Sequence, residues 1–153
     1  MATWLRPSMR SLSVSLGVLA VFTAGCAGTS GKVPVHLSGR HEVPIVVTGA
    51  AGRVDITVDW FKCPSPETSS SCPTLMGTVT TTGMTGTRAE IRQGAAGRNG
   101  PVIATLVKTG NNVWEVPPDT TLTPAQYSAY LAGQLYVTVE SAAHKGGEIR
   151  AQL

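Results

Sequence analysis

Three histidines, His36, His41 and His144, and three cysteines, Cys26, Cys63 and Cys72, are the residues of this 153-residue chain best suited to chemistry. Imidazole nitrogens favour copper and zinc, and a carboxylate can complete such a donor set. Where the first and last strands of a domain pair, His36, His41 and His144 approach one another. Glu90 or Glu148 would then supply an oxygen ligand to a copper or zinc site. The alternative is three unrelated histidines on surfaces and turns. Catalysis has no comparable signature. Glu42, Glu140 and Glu148 show no spacing that pairs them for acid–base work. Asp119, Ser141 and a histidine can be drawn as a triad, as in almost any chain of this size. The sequence contains no Gly-x-Ser-x-Gly, phosphate-loop or zinc-helix motif. These residues favour a binding or structural role over an enzyme.

The cysteines speak of the compartment. Cys63 and Cys72 bracket Pro-Ser-Pro-Glu-Thr-Ser-Ser-Ser, a loop without an apolar residue. In an oxidising environment such a pair reads as a disulfide closing one hairpin-like excursion. A metal pair is the competing reading, but no third or fourth ligand stands at a usual spacing. Cys26 follows a different pattern. Residues 1–10 hold Arg6 and Arg10 and no acid, residues 12–22 form an apolar run, and Thr23, Ala24 and Gly25 are small. That order is the order of a secretory signal. The apolar run is shorter than the ~20 residues a spanning helix needs.

Thr23-Ala24-Gly25-Cys26 resembles a bacterial lipobox, in which the cysteine is lipidated and becomes the first mature residue. Thr23 stands where that motif usually has Leu. Ala27 is not Asp, so by the common sorting rule the resemblance implies the outer membrane. The alternative is an ordinary signal peptide cut near Ala24 or Ala27. The expected organisation is a lipoprotein signal peptide over 1–25, a lipidated Cys26 with a flexible tether over 26–32, and one domain over 33–153. The expected location is the bacterial cell envelope, as an outer-membrane lipoprotein facing the periplasm or the surface.

The elements that must position these residues are strands. Val54, Ile56, Val58 and Trp60 alternate with Arg53, Asp55, Thr57 and Asp59, as in a strand with one buried face. Thr87, Ala89 and Ile91 alternate with Arg88, Glu90 and Arg92. The same period recurs over 135–140 and 148–153, where Glu148 and Arg150 are expected to face outward and form cross-strand ion pairs. Further strands are predicted at 33–38, 43–47, 75–81, 101–107 and 112–116. Glycine-rich stretches at 49–52, 83–86, 94–100, 110–112 and 146–147 separate them. Trp60 and Trp114 are expected in the core or on a sheet face. One helix is predicted, with Thr123 as N-cap, Pro124 at its first position and Gly133 as its end. The fold class is all-β: an antiparallel β-sandwich or Greek-key barrel of about eight strands with one short helix.

Composition agrees. Charged residues are 14% of the chain and aromatics 5%, with 17 Gly and 10 Pro. Of twelve Lys and Arg, two lie in the leader, so ten face nine Asp and Glu in the mature chain. No basic run alternates with aromatics, which argues against nucleic acid as a partner.

Four segments together resemble the CHRD domain, named after the chordin repeats. They are Leu37-Ser-Gly-Arg-His-Glu-Val-Pro44, the glycine-rich turn Gln93 to Val102, the stretch Leu122 to Val137, and the closing motif His144-Lys-Gly-Gly-Glu-Ile-Arg-Ala-Gln-Leu153. The resemblance spans roughly residues 34–153, and the Cys63 to Cys72 loop looks like an insertion. It implies a β-fold, an exported location and a binding role. A separate reading makes an envelope protein or polysaccharide the partner, beside the membrane itself. The family commonly has His-Ile-His before the glycine turn, where this chain has Glu90, Ile91 and Arg92. Two such histidines share one strand face and suit a metal. Arg92 cannot coordinate, so Arg88, Glu90 and Arg92 are expected to form a salt-bridged polar face. The second functional reading is a copper or zinc protein with redox chemistry resembling that of copper–zinc superoxide dismutases.

Overall fold

The computed structural model describes residues 34–63 and 70–153. Cys26 and the segments expected to be a leader and a tether lie outside the described residues. Among the described residues nine strands form one antiparallel sheet. In chain order they are β1 (Val35–Ser38), β2 (Ala51–Lys62), β3 (Ser71–Thr82), β4 (Gly86–Gln93), β5 (Val102–Thr105), β6 (Val107–Gly110), β7 (Val113–Glu115), β8 (Leu135–Ser141) and β9 (Ile149–Gln152). Their order across the sheet is β5-β4-β8-β9-β1-β2-β3-β7-β6. The two outermost strands, β5 and β6, are consecutive in the chain and separated only by Leu106. The sheet therefore curls until its edges meet, forming a nearly closed barrel. Leu106 seals the seam. Its side chain is buried, and its amide donates to the Ala89 carbonyl on β4.

The alternating residues fill the barrel. Ile91 on β4, Val137 and Val139 on β8, Ile149 on β9, Leu37 on β1 and Val79 on β3 are almost wholly buried. Each aliphatic side chain so placed stabilises the fold by about 1.5–3 kcal/mol relative to exposure. Trp114 joins this core. Trp60 does not: it is 55% exposed and packs edge-on against Tyr127 at 5.3 Å. Its strand continues past the core as a long hairpin with β3, in unbroken register from Ala51↔Thr82 to Lys62↔Ser71. The Cys63–Cys72 disulfide, with Cα atoms 5.1 Å apart, closes the tip of that hairpin.

The helix α1 (Pro124–Leu131) begins as its sequence predicts. Thr123 Oγ1 accepts from the Gln126 amide, and the Gln126 side chain accepts from the Thr123 amide. This reciprocal cap satisfies two otherwise orphaned donors. Gly133 follows at φ +65°, the left-handed conformation that ends helices at glycine. Among the described residues no helix is long and apolar enough to cross a membrane.

Two expectations change. The stretch 101–107 is two strand ends meeting at Leu106, not one strand. The strand expected at 43–47 is a loop, in which Ile45 and Val47 are 69% and 98% exposed. Its backbone is engaged elsewhere: the Val46 amide donates to the Gly39 carbonyl, and the Val43 carbonyl accepts from Asn99 Nδ2.

Candidate functional site

Register places the polar residues of β4, β8 and β9 on the outer face of the barrel. Glu90 lies opposite Thr138, Arg92 opposite Tyr136, Thr138 opposite Arg150 and Tyr136 opposite Gln152. Alternation alone would leave this face to solvent. Here two loops cover it. A single 3-10 turn (Gly39–His41) leads into the loop through Glu42, Val43 and Pro44, and the glycine-rich turn 94–100 approaches from the other side. Asn99 joins them by donating to the Val43 carbonyl at 2.7 Å.

Beneath the loops the polar groups are buried. Glu42 Oε1 accepts the Thr138 hydroxyl at 2.6 Å. Burial pushes the Glu42 carboxyl above its ordinary range, although the Thr138 hydrogen bond and the charge of Arg150 oppose that shift. Gly147, at φ +122°, makes room for this pair. A Cβ there would stand 2.6 Å from both Glu42 Oε1 and Thr138 Oγ1. Arg150 is 1% exposed. Its guanidinium lies 3.4 Å from the Tyr136 ring centroid and donates to Asn99 Oδ1, the Ala95 carbonyl and Gln152 Oε1. The amide of Gln152 donates in turn to the Gly94 and Gly133 carbonyls. The Tyr136 hydroxyl accepts the Gly100 amide at 3.1 Å.

Between the two loops opens a cleft of about 730 Å³. Val35, Val43, Pro44, Ile45 and Ala96 give it apolar walls, and His36, Arg40, His41, Glu42, Arg150 and Gln152 supply its polar groups. A second cavity of about 540 Å³, around Met76, Glu115 and Pro117, shares no residue with it.

The residues expected to hold copper or zinc are not gathered. Strands β1 and β9 do pair, through Ser38 and Arg150, and His36 and His41 line one cleft. His41 Nδ1, however, lies 3.2 Å from the Arg150 carbonyl and 3.3 Å from Ser38 Oγ. His144 belongs to the turn between β8 and β9, where its amide donates to Ser141 Oγ. Glu90 is fully buried between two arginines. Its Oε2 is 2.7 Å from Arg92 Nε, and its Oε1 is paired with Arg88. Among the described residues no group of three His, Cys, Asp or Glu side chains stands close enough to share an ion. At the position of the family's His-Ile-His, the donor set is a neutralised carboxylate and an arginine, which does not fit a metal.

The salt-bridged face of β4 is present, with its central carboxylate buried rather than exposed. Among the described residues Glu148 and Arg150 form no cross-strand ion pair; both are buried and bonded to neutral partners. Glu148 Oε1 instead accepts the Thr48 hydroxyl at 2.7 Å. Burial alone would raise the Glu148 carboxyl, but the hydroxyls of Ser141 and Thr48 and the charge of His144 outweigh it and leave it below its ordinary value. Sequence reasoning missed Glu42, Tyr136, Thr138 and Arg150 as a site. Strand alternation reads such residues as a solvated face, and only the covering loops make them a cleft.

No curated protein and no solved structure matches the chain. The family that does match is the CHRD domain, over residues 33–153. The segments that build the cleft are the opening segment, the glycine turn and the closing motif of that match, and the chain belongs to the CHRD-domain family.

Proposed function

We propose that this protein is an exported, lipid-anchored component of the bacterial cell envelope, and that its CHRD domain is a binding module whose ligand site is the cleft beside Glu42 and Arg150. One observation carries the binding role. Three segments far apart in the chain, 37–44, 93–102 and 144–153, converge on a single cleft, and buried polar groups hold it open. Such an arrangement of apolar walls with a few fixed donors is what ligand sites share. The polar groups of the cleft are held by the protein's own hydrogen bonds, His41 by the Arg150 carbonyl, Glu42 by Thr138 and Arg150 by Asn99, which suits recognition. The ligand belongs to the envelope, from a neighbouring protein or a polysaccharide. The address rests on the charged, apolar and small segments that end at Cys26. Acyl chains on that cysteine would each contribute about 0.8 kcal/mol per buried methylene, which holds a protein durably when several are present.

Two readouts test this reading on the full chain expressed in a bacterium. Alkyne palmitate is expected to label the protein and to be lost in Cys26→Ala, which then leaves the membrane fraction. A photo-crosslinking residue at Ala96, on the cleft rim, is expected to trap an envelope component that the same residue at Thr109, in the second cavity, does not. Equal labelling of the variant contradicts the anchor. Identical adducts from both positions contradict the module.

A further inference from the structure

The cleft holds two guanidinium groups, Arg40 and Arg150, against one carboxylate, Glu42. Arg150 is buried, and a buried cation is costly unless it is paired. Among the described residues it forms no ion pair. It makes three hydrogen bonds to neutral acceptors and stacks on one ring. A guanidinium has five N–H donors, so two remain uncommitted. Arg40, exposed at the rim, is a second cation without a carboxylate partner among the described residues. The only acid in the cleft is Glu42. Its Oε1 turns into the barrel wall to take the Thr138 hydroxyl, and one carboxylate leaves one of the two cations without a counter-charge whether or not it attracts Arg150. The walls are apolar, and Ile45 stands 69% exposed.

We infer that the cleft takes a carboxylate carried on an apolar body, with the carboxylate at Arg40 and Arg150 and the body against Val43, Pro44 and Ile45. This rests on the reading of the cleft as the ligand site. Inorganic phosphate would leave the apolar walls bare. A neutral sugar would leave both cations uncompensated. An amphipathic acid satisfies both sets of groups, and a charge-assisted bond to a guanidinium in a partly desolvated site is the strong kind. A fatty acid and the C-terminus of an apolar peptide share this chemistry.

Calorimetric titration of the purified full chain separates the possibilities. The ligands are octanoate against octanol, and acetyl-leucyl-leucine as the free acid against its amide. At least one acid is expected to bind about tenfold or more tightly than its neutral partner, a preference that fits one charge-assisted contact. The tighter of the two acids identifies the source. Arg40→Glu is expected to abolish the preference while leaving the melting temperature unchanged. Arg53→Glu, outside the cleft, is expected to preserve it. Acids and neutral partners binding equally would overturn the inference and leave the cleft as a site for something else. No binding by any of the four would also overturn the inference, whereas the reading of the cleft as a ligand site falls only with the crosslinking at Ala96.

Discussion

The guanidinium of Arg150 lies 3.4 Å from the centroid of the Tyr136 ring, whose hydroxyl accepts the Gly100 amide 3.1 Å away. One ring thus ties the last strand, its neighbour and the glycine turn together. Tyr136→Phe keeps the ring and removes the acceptor, so it should cost about 1 kcal/mol in urea denaturation. Tyr136→Leu also removes the cation–π contact and opens space, so about 2–4 kcal/mol is expected. Equal losses in the two variants would show that the stack contributes nothing.

Gly147 and Gly146 are adjacent but should respond differently to substitution. Gly147 has φ +122°, and its Cβ would collide with the Glu42–Thr138 pair, whereas a Cβ on Gly146 meets nothing within 4 Å. Gly147→Ala should destabilise by about 2 kcal/mol or more. Gly146→Ala should stay within about 0.5 kcal/mol of the parent. Thermal melts of the two variants side by side check this contrast.

Glu42 and Glu148, both buried, should give opposite pH dependences. Glu42 has its carboxyl raised by burial, so the folded state holds that proton more tightly than the unfolded chain. Its contribution is complete below the ordinary carboxylate range and declines as pH rises through the folded value. Glu148 has its carboxyl lowered overall, so its contribution is present above the ordinary range and disappears as pH falls. Relative to the parent, Glu42→Gln should therefore gain stability with rising pH. Glu148→Gln should lose stability near neutrality and converge with the parent in acid. Difference curves of unfolding free energy against pH read both signs, and two curves of the same sign would contradict the assignment.

The disulfide closes a short loop, nine residues in sequence separation. Reduction should cost about 2–3 kcal/mol, chiefly by freeing the unfolded chain. Its native-state effect should stay at the hairpin tip. Amide exchange should accelerate at Phe61 and Lys62 and remain unchanged at Val54 and Val79, which lie deep in the same hairpin.

Much of the fold was legible because its signals are local. Alternation over 53–60, 87–92 and 135–140 located β2, β4 and β8, and Thr123 with Pro124 located the helix start. Cys63 and Cys72, bracketing a polar loop, indicated their own bond. What escaped depends on groups distant in sequence. Leu106 looks like one more apolar residue in a strand, and only the barrel's closure reveals it as the turn between β5 and β6. Ile45 and Val47 alternate like a strand's buried face, yet both are exposed, and Ile45 walls an open cleft, because Gly39 and Asn99 take the loop's backbone groups. Glu148 and Arg150 read as a solvated pair. Their partners, Thr48 and Tyr136, lie 100 and 14 residues away, beyond the reach of any periodicity. At Glu90 the reason is local: Arg88 and Arg92, two residues to either side on its own strand, pair with the carboxylate.

The most direct measurement is an amide NMR titration of the protein with octanoate. If the cleft is the ligand site, shifts should concentrate at Arg40–Ile45, Ala96, Gly97 and Arg150 and saturate together. Met76 and Glu115, in the second cavity, should not move. Shifts centred on the second cavity, or spread evenly over the surface, would contradict the account.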